Sequence, residues 1–188
     1  STYPLARTGF GSHIGGVLAP NGDIHFIPNS SPVGQKISSA GVVSTYSLVY
    51  TTSNPYYGGV LSSSGEIHFV PNNAVVGQKI SISGVISTYS LVYTGNQPYS
   101  GGVLAPNGDI YFVPYYAAPV GQKVSISGVV STYSLVYTVS SAYWGGVLTP
   151  NGDIHFVPFQ ASVGQKISTK PCKPFSKAMC LSPFLNKF

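Results

Sequence analysis

Four near-copies of one segment, laid end to end, constrain this chain more than any other feature of its sequence. The triplet Ser-Thr-Tyr begins at Ser1, Ser44, Ser87 and Ser131, the Gly-Gly pair at Gly15, Gly58, Gly101 and Gly145, and Gly-Gln-Lys at Gly34, Gly77, Gly121 and Gly164. The spacing is 43 or 44 residues throughout. The extra residue falls between Pro114 and Gly121, where the third copy reads YYAAPV against NSSPV in the first. Fixed-period self-similarity of this length marks a repeat architecture in which each unit is one supersecondary element. The units run over residues 1–43, 44–86, 87–130 and 131–168, and residues 169–188 match nothing in them.

Within a unit, four extended segments alternate with turn signals: GGVLAP, an Asn-Gly turn, DIHFVP, a short loop, GQKIS, a Ser-Gly turn and VVSTYSLVYT. Asn21-Gly22, Asn107-Gly108 and Asn151-Gly152 supply the positive φ angles of a two-residue hairpin, and Ser64-Gly65 is a weaker substitute. Abundant Gly, Pro and Tyr with only 7% charged residues favour strands and turns over surface helices. In the segment from Val43 to Tyr50 apolar groups stand on both faces, as they do in a sheet covered on both sides. The expectation is an all-β fold, a four-bladed β-propeller with four antiparallel strands per blade. Gly-Gly places the first strand of each unit nearest the axis, where blades crowd and only small residues fit. The fourth unit stops after GQKIS and lacks the last strand, whereas the chain opens with STYPLART, a last-strand sequence. Residues 1–7 are therefore expected to close the ring by pairing with the sheet of residues 145–168. The alternative is half of a larger ring completed by a second chain.

The unit GGVLAPNGDIHFVP…VGQKIS…GVVSTYSLVYT resembles tandem propeller-type repeats of bacterial and viral proteins, marine phages among them, over residues 1–168. The resemblance implies a fold and a virion or extracellular setting. It implies no catalytic residues and no cofactor.

Net charge is +5, yet the repeat body carries five basic and four acidic residues, a balance of +1. The remaining bases, Lys170, Lys173, Lys177 and Lys187, lie in the tail, so no specific nucleic-acid surface is expected on the blades. No apolar run is long enough to span a bilayer as a helix, and the chain reads as soluble. Cys172 and Cys180 are too few for a disulfide framework or a zinc site.

An acid-x-His motif recurs as Asp23/His25, Glu66/His68 and Asp153/His155 and becomes Asp109/Tyr111 in the third unit. Tyr111 breaks a fourfold ring of metal ligands, so these residues are expected to form Asp, His and Ser/Thr hydrogen bonds inside each blade, with no metal. One acid and one Lys recur at matched places, Asp23 with Lys36 and Asp109 with Lys123 among them, and read as structural ion pairs. Active sites are seldom copied four times, and no nucleophile stands beside a base outside the repeat, so the chain is expected not to be an enzyme.

Positions that differ between units are free for function. The loop between units reads TGFGSHI, TTSNPYY, TGNQPYS and TVSSAYW, and the loop after the second strand reads NSSPV, NNAVV, YYAAPV and FQASV. In an up-and-down blade both emerge at one end, which places Phe10, His13, Tyr56, Tyr57, Tyr99, Tyr115, Tyr116, Tyr143, Trp144 and Phe159 on one face. Aromatics give large contact area at little entropic loss, in protein interfaces and on sugars alike. In the tail, Phe175, Leu181, Phe184 and Phe188 are expected to dock on the propeller or another subunit. The reading is a structural or interaction module of a larger assembly such as a virus particle, with homo-oligomerisation open to it. The alternative is a multivalent glycan-binding lectin.

Overall fold

The computed structural model describes residues 2–116 and 118–169. Every regular element among them is a strand, and the strands fall into four antiparallel sheets in chain order. The first sheet holds β1 (His13–Leu18), β2 (Ile24–Pro28), β3 (Val33–Ile37) and β4 (Val43–Ser47). The second holds β5 (Tyr56–Leu61), β6 (Ile67–Pro71), β7 (Val76–Ile80) and β8 (Ile86–Ser90), and the third β9 (Tyr99–Leu104), β10 (Ile110–Pro114), β11 (Gly121–Val124) and β12 (Val130–Tyr133). The fourth has three strands, β13 (Tyr143–Leu148), β14 (Asp153–Pro158) and β15 (Lys166–Ser168). In each sheet neighbours in sequence are neighbours in space, as short connections dictate.

The hairpin turns work as the sequence requires. Gly22, Gly65, Gly108 and Gly152 all adopt φ between 83° and 88°, a region that L side chains rarely enter. Asp23 and Asp109 return their amide N–H to the side chains of Asn21 and Asn107 at 3.1 Å, closing an Asx turn that sets the start of the next strand.

Sheets pack through their first strands: β1 against β5, β5 against β9, and β9 against β13. The second glycine of each Gly-Gly pair makes this possible. A Cβ on Gly59 would lie 2.6 Å from Ile27 Cδ1, one on Gly102 2.6 Å from Val60 Cγ2, and one on Gly146 2.8 Å from Val103 Cγ2. The second, third and fourth blades thus seat their inner strands on apolar side chains of the blade before, with no room for another carbon. Three separate cores result, centred on Ile27, Tyr56 and Phe69, on Val70, Tyr99 and Phe112, and on Val113, Tyr143 and Phe156.

A second device joins blades at their outer halves. The side chains of Gln35, Gln78 and Gln122 are at most 1% exposed. Gln78 Oε1 accepts the N–H of Val49 and Tyr50 at 3.0 and 2.9 Å, Gln122 Oε1 those of Val92 and Tyr93, and Gln165 Oε1 those of Val136 and Tyr137. The polypeptide leaves the fourth strand of one blade just there, and the glutamine of the next blade satisfies amides that no ladder reaches.

The expected closure by the N-terminal strand is not what the structure shows. Residues 2–8 form no strand, and among the described residues β15 has no partner on its outer side. The reason is the course of the arc. Val157 is 44% exposed where its counterparts Ile27, Val70 and Val113 are fully buried, so among the described residues no further blade packs on the fourth.

Candidate functional site

The two variable loops do meet at one end of the sheets, and a repeated hydrogen bond holds them together. The carbonyls of Gly11, Asn54, Gln97 and Ser141, all in loops that enter a blade, accept the N–H of Ser30, Asn73, Tyr116 and Gln160 at 3.0–3.2 Å. These four residues share a left-handed backbone, with φ of 62°, 51°, 50° and 55°. Glycine occupies it without strain in the first unit; Asn54, Gln97 and Ser141 hold it at a cost of roughly 1–2 kcal/mol each. Asn29 and Asn72 then donate from Nδ2 to the carbonyls of Tyr56 and Tyr99 at 3.0 and 3.1 Å, tying the second loop of the first and second blades to the next blade's first strand.

On this platform stands a cluster of rings. Trp144 meets Tyr57 edge-on at 5.5 Å, Tyr115 edge-on at 5.2 Å and Phe159 at a tilt at 5.1 Å. Tyr116 extends it, 6.5 Å from Tyr115. Contacts of this geometry favour the ring quadrupoles and fix the orientation of Trp144, which stays 42% exposed. Burial, with Tyr115 beside it, pushes the Tyr57 phenol above its ordinary value, so that ring remains neutral. Tyr57, Tyr115 and Trp144 wall a cavity of about 140 Å³ together with Asn29, Asn54, Asn72 and Gln97. Two of the three left-handed non-glycine residues therefore line it.

The aromatic residues singled out from the sequence divide into three groups. Tyr57, Tyr115, Tyr116, Trp144 and Phe159 form the cluster. Phe10 is fully exposed and lies outside it, and His13 is half-buried, with its Nδ1 3.2 Å from Ser12 Oγ. Tyr56, Tyr99 and Tyr143 are corrected to the core: all three are 0% exposed, because alternation along the strand turns them inward, while Tyr57 and Trp144, next to two of them, turn to the opposite side. Phe175, Leu181, Phe184 and Phe188 lie outside the described residues. The amides of Asn29, Asn54, Asn72 and Gln97 were missed, although Asn-Pro and Gln-Pro at 54–55 and 97–98 marked their turns.

The recurring polar residues are scaffold. Lys36, Lys79, Lys123 and Lys166 pair with Asp23, Glu66, Asp109 and Asp153 at 2.7, 2.8, 2.7 and 3.1 Å. The hydrogen bond from lysine holds Asp23, Glu66 and Asp153 below their ordinary carboxyl values. Histidine finds a different partner from the one expected. It packs on the tyrosine of the outer strand, with ring centroids 5.5 Å apart in His25–Tyr46, His68–Tyr89 and also Tyr111–Tyr133. Burial, and then the Lys79 charge, pushes His68 down to about 4, so it is neutral at physiological pH.

Larger clefts of about 310 and 580 Å³ lie at the opposite end, lined by turn residues of the repeat such as Pro20, Asn21, Pro106 and Asn151. That end also exposes a row of Val42, Val85 and Val129 with Ile82 and Ile126.

No known sequence family matches the chain, and no curated protein does. Solved structures do resemble it. A catalytically inactive virginiamycin B lyase from Staphylococcus aureus with quinupristin superposes with a TM-score of 0.72 at 22% identity, covering 84% of this chain and 53% of that one. Hydrazine synthase from Kuenenia stuttgartiensis gives 0.65 at 11% identity over 84% and 46%. An auxiliary nutrient binding protein from Bacteroides thetaiotaomicron gives 0.58 at 13% identity over 84% and 38%. The class is thus a tandem array of β-propeller-type blades. At these identities the likeness is one of fold, and the chain spans about half the length of the lyase structure it matches.

Proposed function

We propose that the chain is a non-enzymatic interaction module, a subunit of a larger assembly such as a virus particle, whose partner seats on the aromatic end. Residues 169–188 supply a second attachment. The carrying observation is Trp144, held by Tyr57, Tyr115 and Phe159 yet 42% exposed at the rim of the cavity. An anchored, half-exposed tryptophan offers contact area with little left to order on binding. The recurring acids and lysines are engaged in ion pairs in every blade, and none of them lines the aromatic cavity. Similar folds include a lyase and a nutrient binding protein, so the site decides the function and not the fold.

A glycan-binding role is the second reading, favoured by the amides of Asn54 and Gln97 beside Trp144. Amides reach sugar hydroxyls while the indole face takes the apolar face of a pyranose. A glycan array probed with the wild type and with Trp144→Ala separates the two. Glycan binding that disappears in the folded variant selects the lectin. Assembly predicts no glycan bound, with incorporation into a large particle weakened by Trp144→Ala. Incorporation unchanged by that substitution would remove the aromatic end from both readings.

A further inference from the structure

The two ends of the arc fit one another, and this inference is independent of what the aromatic face binds. The fourth blade is incomplete in three ways that the other blades make measurable. In β3, β7 and β11, Gly34, Gly77 and Gly121 lie beneath the outer-strand rings of Tyr46, Tyr89 and Tyr133, and a Cβ there would fall 2.0–2.1 Å from the ring. Gly164 keeps the glycine, but no described residue lies within 4 Å of where its Cβ would be. His25, His68 and Tyr111 are buried under those same tyrosines, whereas His155 is exposed. Val147 and Val157 are 56% and 44% exposed, against 7% and 0% for Val60 and Val70 in the second blade.

At the other end, residues 2–8 hold the complementary part. STYPLART aligns with STYSLVYT so that Tyr3 matches Tyr46 and Arg7 matches Tyr50. Gln35 Oε1 accepts the Arg7 N–H at 2.6 Å, just as Gln78 accepts that of Tyr50. The N-terminal segment therefore lies where the outer strand of a preceding blade would end, with Tyr3 51% exposed. Gly16 likewise meets only its own hairpin, whereas Gly59, Gly102 and Gly146 are seated on the blade before.

We propose that a second copy of this chain docks head to tail, so that residues 2–7 of each copy become the fourth strand of the other's β13–β15 sheet. Tyr3 then seats over Gly164 and covers His155, while Gly16 packs on Val147 and Val157. The register follows from β3–β4, where Gly34 faces Tyr46 and Gln35 faces Thr45, and it sets Tyr3 opposite Gly164 and Thr2 opposite Gln165. The contact is heterologous, and two copies related by a twofold along the ring axis satisfy both open ends at once. The resulting eight blades stay within the range of about 4–8 that closed propellers use.

Light scattering coupled to size exclusion tests this on the full chain, with a mass of twice 19.7 kDa expected for the wild type. Gly164→Leu fills the tyrosine seat without touching its own blade and is expected to yield a monomer with unchanged β-sheet circular dichroism. A second test co-expresses Tyr3→Cys and Gly164→Cys chains, both with Cys172→Ser and Cys180→Ser, and reads a disulfide-linked dimer on a non-reducing gel. A monomeric wild type, a Gly164→Leu protein that remains dimeric, or the absence of the linked dimer would each overturn the proposal.

Discussion

Adding one methyl group to the same motif in two different blades should have opposite consequences. In Gly102→Ala the new Cβ lies 2.6 Å from Val60 Cγ2 and 3.3 Å from Val70 Cγ2, both on buried side chains of the preceding blade. Neither valine can turn away without leaving the core, so the blades must part or a rotamer must break, at roughly 1–3 kcal/mol for overpacking of this kind. In Gly16→Ala the Cβ meets Ile24 Cγ2 at 3.5 Å and Phe26 Cδ1 at 3.6 Å, ordinary contact. There the loss of glycine's freedom in the unfolded chain stabilises by about 0.4–1 kcal/mol. The two variants should therefore differ by about 1.4–4 kcal/mol in urea unfolding followed by circular dichroism, at a protein concentration low enough to keep chains apart. Equal stabilities within 0.5 kcal/mol or so would refute the seating of each inner strand on the blade before it.

Other tests bear on the clamps, the strained loops and the buried imidazoles. Gln122→Leu orphans the N–H groups of Val92 and Tyr93 and should lower stability by about 2–3 kcal/mol, read as the urea midpoint at constant slope. Ser141→Gly relieves a residue at φ 55° and should raise stability by roughly 1 kcal/mol, whereas glycine at a right-handed loop position would not. His68 titrates at 6.5 in the unfolded chain and at about 4 when folded, so the unfolded state binds the proton first as pH falls. Its contribution is fully present above about pH 6.5 and is lost toward pH 4, with a total of about 3 kcal/mol at ~1.4 kcal/mol per pH unit. His68→Phe should flatten the stability profile in that window; below it the depressed Asp23, Glu66 and Asp153 take over.

The repeat made the sheets legible because local signals and global packing agree in every unit: Asn-Gly at the hairpin, Gly-Gly on the inner strand, one acid for one lysine. The aromatic end was legible in its loops but not residue by residue. Tyr56 and Tyr57 are adjacent and chemically identical, and only the phase of β5 decides that one enters the core and the other the cavity. The glutamine clamp was hidden because its partners are backbone amides about 30 residues away, which leave no mark on side-chain pattern. Closure was misjudged for a related reason. A strand sequence such as STYPLART states which edge it fits, not which copy of that edge it reaches.

Trp144 is the chain's sole tryptophan, so intrinsic emission reads the aromatic end directly. The decisive measurement is that emission during titration with whatever glycan the array returns, or with the particle the protein joins. Binding at the aromatic end predicts a blue shift and reduced acrylamide quenching that saturate, and the same response when Val85→Ser and Val129→Ser alter the opposite end. Saturable binding with Trp144 emission unmoved, or binding lost in the Val85→Ser and Val129→Ser protein, would contradict it.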